Sequence, residues 1–87
     1  MRLRAYVKDI YTRGGQVSRE STMALTGISE AGSGDLVCTG KSVVFNKHAK
    51  QAGVSTGDSI EFEANVSIHE GKTIITSPRD FRRIGNY

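Results

Sequence analysis

Asn46-Lys47-His48-Ala49-Lys50-Gln51-Ala52-Gly53 is a stretch of helical grammar in a chain whose other segments read as strands and turns. Asn46 is suited to cap a first turn by accepting a backbone N–H. Gly53 is suited to end the helix in a left-handed conformation, and Ala49 and Ala52 form a narrow apolar stripe between them. A helix of about two turns does not hold itself together in water, so this one must plug something built by its neighbours.

Downstream, Ser59 to His69 alternates cleanly. Ile60, Phe62, Ala64, Val66 and Ile68 are expected to face in, and Glu61, Glu63, Asn65, Ser67 and His69 to face out. His69-Glu70-Gly71-Lys72 supplies a hairpin turn, and Lys72 to Ser77 is the last core strand, stopped or bent by Pro78. The residues from about 78 to 87 form a basic tail that can continue along the sheet edge, with Phe81 and Ile84 as anchors.

Upstream, Leu36 to Phe45 is rich in β-branched residues, with Gly40 as a kink. Ser21 to Ile28 is a shorter strand with Met23 and Leu25 on its apolar side. Arg2 to Thr12 sets Leu3, Ala5 and Val7 against Arg4, Tyr6 and Lys8. The alternation slips near Asp9-Ile10-Tyr11, as at a bulge. Arg13-Gly14-Gly15-Gln16 is a turn, and Ser29 to Asp35 is a loop by its glycines and small polar residues.

The order is three strands, one short helix and two strands. The helix separates this arrangement from other small five-stranded designs and matches the OB-fold, a mainly β, five-stranded Greek-key barrel. There the helix between strands three and four closes the barrel bottom. The stretch GVSTGDSIEFEANVSIHEGKTIITSPR, residues 53–79, resembles the second half of many OB domains. In those domains a Gly-Asp pair, here Gly57-Asp58, opens an alternating fourth strand that hairpins into the fifth. Bacterial initiation factor one, S1-type RNA-binding domains and several single-strand-binding modules share this layout. The first three strands carry no initiation-factor or cold-shock aromatic motif.

Gly32-Ser33-Gly34-Asp35-Leu36-Val37-Cys38-Thr39-Gly40-Lys41-Ser42 ends like a phosphate-binding loop. That loop needs a glycine five residues before Gly40, where Asp35 stands, and a helix after the final Ser. Val43-Val44-Phe45 is strand material instead, so turn and strand chemistry accounts for the stretch.

The 87 residues suit a single domain spanning 1–87, and the 37% apolar content is too high for a disordered chain. No apolar run is long enough to cross a bilayer and the first residues lack the pattern of an export signal, so a cytoplasmic location is expected. The lone Cys38 has no internal disulfide partner and is expected as a small buried hydrophobe. His48 and His69 have no Cys or Asp at metal-ligand spacing, and no Ser or Thr sits beside a His in a nucleophile arrangement. Neither a metal, a cofactor nor an enzymatic activity is expected.

The net charge of +3 is mild but unevenly spread. Residues 1–19 hold five cations against Asp9, residues 72–87 hold four against Asp80, and Asp58, Glu61, Glu63 and Glu70 lie between. If the two basic ends meet in the fold, they form a basic surface separate from an acidic one, which suits an anionic polymer. The acidic strand face would then lie away from the binding groove.

Single-stranded DNA or RNA is the partner that the OB resemblance implies. Candidate contacts are Arg4, Tyr6 and Lys8 on the first strand, Tyr11 and Arg13 at its end, Lys41 on the third strand and Lys72 at the last hairpin. Arg79, Arg82 and Arg83 in the tail complete the set. Phe45, Phe62 and Phe81 are better read as core than as stacking platforms. The competing reading is a protein-interaction module that docks on a larger partner. Either a monomer or a homodimer is compatible, the latter through strand pairing along the first strand or the tail.

Overall fold

A computed structural model describes residues 1–12 and 21–86. The elements follow in the order β1 (Arg2–Thr12), β2 (Ser21–Glu30), β3 (Leu36–Phe45), α1 (Lys47–Gln51), β4 (Asp58–His69) and β5 (Lys72–Asn86). All strand pairs are antiparallel and form one curled sheet in the order β3-β2-β1-β4-β5. The expected architecture of a mainly β chain, with five strands and one short helix between β3 and β4, is the one observed. This curl and strand order are compatible with an OB-like barrel. The turn expected at Arg13–Gln16 lies outside the described residues.

β1 is the central strand, flanked by β2 and β4. Leu3 lies opposite Glu30 of β2 on one side and Phe62 of β4 on the other. Residues 2–6 therefore have no free edge, which removes that part of β1 as a site for strand-paired dimerisation. The alternation of β4 positions Ile60, Phe62 and Ala64 in the core, where they meet Leu3, Ala5 and Val7 of β1 and Met23, Leu25 and Ile28 of β2. Val66 is only partly buried and Ile68, expected inward, is exposed, because the end of the β4–β5 hairpin runs past the strands that cover the core. Leu25 and Ile28 are three residues apart, so simple alternation would put them on opposite faces. Gly27, at φ +58°, absorbs the extra residue of a bulge opposite β1 and turns both inward.

The helix behaves as its caps imply. Asn46 Oδ1 accepts the Ala49 N–H at 3.2 Å, Gly53 follows at φ +73°, and Ala49 is fully buried against the sheet. Asn46 also donates from Nδ2 to the Pro78 carbonyl at 2.8 Å, which fastens the end of β3 to β5. β5 runs past Pro78 to Asn86 instead of stopping there. Two irregularities permit this, one between the Asn65–Thr76 and Glu63–Arg79 pairs and one between Glu63–Arg79 and Glu61–Arg82. Ser77 and Asp80 take positive φ within them, and the first accommodates a proline that has no N–H to give a ladder. Of the two expected anchors, Phe81 is buried and stacks on Phe62 at 5.2 Å, whereas Ile84 points outward and is 43% exposed.

Asp58 is the fully buried acid at the start of β4. Its Oδ2 accepts the Ser55 N–H at 2.8 Å and lies 3.0 Å from Arg83 Nε. The carboxylate thus closes the turn between α1 and β4 and ties it to β5.

Candidate nucleic-acid interface

The inward positions of β1 are taken by Leu3, Ala5 and Val7, so Arg4, Tyr6 and Lys8 fall on the outer face, and all three are exposed. A register slip between Val7 and Asp9 then resets the pattern. Ile10 pairs with the buried Met23, so Tyr11, opposite Thr22, returns to the outer face, half-buried. Beside these residues the outer positions of β2 are Thr22, Ala24 and Thr26, and their partners on β3 are Val44, Ser42 and Gly40. The outer surface of β2 and β3 along this register is therefore small and uncharged, bordered by two tyrosines and Lys8. Asp9, on β1 opposite Ala24, is the acid at its border, and its Oδ1 accepts the adjacent Ile10 N–H at 2.9 Å.

The charges do not segregate as their distribution along the chain suggested. The sheet order inserts acidic β4 between basic β1 and basic β5. Arg2 Nε and Arg4 Nε reach Glu61 at 2.9 and 3.1 Å, and Arg2 Nη1 also reaches Asp80 at 2.8 Å. Hydrogen bonds from Arg2 and then Arg4 hold the Glu61 carboxyl below its usual range, and Glu61 in turn raises the Arg2 guanidinium. Arg83 is committed to Asp58. Much of the expected basic surface is thus internally neutralised, and the acidic face of β4 adjoins the candidate groove instead of lying away from it.

The remaining expected residues are dispersed. Arg82, exposed, stands opposite Glu61, and Arg79 donates to the Ser77 carbonyl at 2.7 Å. Lys41 pairs with Leu25, which places it on the core side of β3, half-buried and away from Tyr6. Lys72 lies at the far end of the β4–β5 hairpin, opposite His69. Arg13 lies outside the described residues. Phe45 packs partly against the core and Phe62 lies within it, as expected. Cys38 is half-buried where full burial was expected, and its Sγ donates to the Gly40 carbonyl at 3.1 Å.

The structure therefore brings Arg4, Tyr6, Lys8 and Tyr11 together on the outer face of β1, sets Arg82 and Arg79 on the same face of the sheet two strands away opposite Glu61 and Glu63, and leaves Lys41, Lys72 and Arg83 elsewhere. It also shows a feature that the sequence reading missed. An open trough of about 300 Å³ lies beside Tyr6, lined by Arg4, Thr26, Gly27, Ser59 and Ile84. A glycine inside a strand pattern was the available signal, since such a glycine often marks a bulge or a close approach. Among the described residues no group of three His, Cys, Asp or Glu side chains is placed to hold a metal ion, and no helix is long and apolar enough to cross a membrane. Comparison with known protein families, with curated proteins and with solved structures finds no match to this chain.

Proposed function

We propose that this chain is an OB-type module that binds single-stranded DNA or RNA with little sequence preference and without catalysing a reaction. The observation that carries the reading is the exposed Tyr6 ring on the outer face of β1, with Lys8 and Arg4 on the same strand and an uncharged surface on β2 beside it. A flat ring beside cations offers a base its stacking platform and a phosphate its counter-charge. Each stacked base contributes about 1–3 kcal/mol, so Tyr6 and Tyr11 together suffice for measurable binding. Small side chains on β2 and β3 let a backbone approach closely, and few fixed hydrogen-bonding groups there would discriminate one base from another.

A second reading, a protein-interaction module, draws on the exposed apolar side chains Leu36, Val44 and Ile68, at 63%, 50% and 77% exposure. Fluorescence anisotropy with labelled oligo-dT, oligo-U and a duplex at two salt concentrations separates the two. Single-strand binding that weakens with salt and with Tyr6→Ala supports the nucleic-acid reading. Absence of binding at low salt refutes it and favours a protein partner.

A further inference from the structure

Two separate register slips converge on the trough beside Tyr6. One lies between the Arg4 and Tyr6 pairs of β1 with β2, where Gly27 contributes no side chain, and an added Cβ there would meet nothing within 4 Å. The other lies between Ser59 and Ile60 in the β4–β5 pairing, where Ile84 is the extra residue and turns outward to 43% exposure. Bulges re-aim side chains and concentrate beside functional sites. Here one leaves the β2 flank of Tyr6 clear and the other raises an apolar wall beyond Ser59 on the β4–β5 flank.

From this geometry we infer that the trough is a subsite for one unstacked nucleobase, held between the Tyr6 ring and Ile84. The inference rests on the nucleic-acid reading and deepens it. Ser59 on the β4 flank of Tyr6 and Thr26 on its β2 flank offer hydroxyls, and a hydroxyl rotates to donate or accept, so it satisfies the edge of any base. This chemistry fits binding without sequence preference. Glu61 holds Arg4 through Nε alone, which orients the guanidinium and, among the described residues, leaves its terminal nitrogens without a hydrogen bond. Those nitrogens are the donors for the phosphate of the captured nucleotide. Glu61 is therefore a positioning residue for Arg4, not a repulsive neighbour of the ligand.

The test compares an oligo-dT with an abasic strand of equal length and charge, using wild type, Ser59→Leu and Ile84→Ser, with circular dichroism melts of each protein. Ser59→Leu fills the trough; Ile84 is exposed, so Ile84→Ser removes the wall without disturbing the core. Wild type should prefer the base-bearing strand by roughly tenfold, the effect of about one stacked base. Both variants should lower that ratio severalfold. A 2-aminopurine placed in the strand should change its fluorescence on binding wild type, and less so on binding Ile84→Ser. If wild type binds and prefers bases but Ile84→Ser keeps the full ratio and the full fluorescence change, the subsite is wrong and the broader reading stands. If wild type binds neither strand at low salt, both fall.

Discussion

Asp58→Ala removes a carboxylate with no solvent exposure, and the consequence can be worked out from its two partners. The Ser55 N–H, 2.8 Å from Oδ2, would lose its acceptor. A hydrogen bond to a charged group contributes about 1.5–3 kcal/mol. Arg83, the other partner, is 45% exposed, so solvent screens the ion pair and regains the guanidinium when the pair is broken. That part adds at most about 1 kcal/mol. The expected loss is therefore about 2–4 kcal/mol, a large share of the roughly 4–13 kcal/mol that a chain of this size holds in total. For a domain of this length each kcal/mol lowers Tm by about 4–8 °C, so the melt should fall by roughly 8–30 °C. Asp58→Asn keeps an amide oxygen for the Ser55 N–H and gives up only the charge, so it should cost half as much or less. Urea unfolding followed by circular dichroism, with m-values compared, measures both. A loss below about 0.5 kcal/mol for Asp58→Ala, or equal losses for the two variants, would refute the claim that this carboxylate locks the α1–β4 turn.

Three further outcomes follow from the same structure. Glu61 has a depressed folded pKa, below its ordinary value of 4.5, so its stabilising contribution is complete above the unfolded value and is lost as pH falls through the folded one. Urea midpoints taken from about pH 6 down to about pH 3 should show a shallower acid decline in Glu61→Gln than in wild type, and parallel declines would contradict the Arg2–Glu61–Arg4 network. Phe62→Ala, at a fully buried position stacked on Phe81, should cost about 3–5 kcal/mol by thermal or urea unfolding. Asn46→Ala should cost about 1–2 kcal/mol through loss of the Ala49 cap, while Asn46→Asp keeps that cap and gives up only the bond to the Pro78 carbonyl; an aspartate as damaging as the alanine would shift the weight to the β5 contact.

The elements that local chemistry specifies were legible in the sequence. The alternation from Ile60 to Ala64, the Asn46 and Gly53 caps, and the first residues of β1 each carry their instruction within a few positions. The continuation of β5 past Pro78 was legible only as one of two outcomes, a stop or a bend with the tail along the sheet edge, because a proline stops a strand unless a bulge takes it, and bulges are set by pairing with β4. Ile28 was placed without its face because Gly27 reverses the alternation. The site fared similarly. Tyr6 could be assigned to the outer face from its neighbours, and Tyr11 could not, since the slip at Asp9 hides its direction. The expected charge segregation failed for a topological reason: which cation meets which acid depends on β4 lying between β1 and β5, and no local pattern encodes that order. Ile84 and Ser59 entered the trough by the same long-range route.

The interior position of β1 has a consequence for how the chain is made. Translation delivers β1 well before β4, so one flank of that strand waits for partners from 59 to 63, as with Leu3 and Phe62. A ribosome that has emitted only the β1–β2–β3 meander holds a sheet with its hydrophobic side uncovered and an unpaired strand edge along residues 2–6. Such an edge invites pairing with other nascent chains. Closing it requires contacts of long sequence separation, the kind that slow folding. The interval between synthesis of β1 and arrival of β4 is therefore the window in which this protein is most exposed to aggregation and most dependent on whatever holds the nascent chain apart.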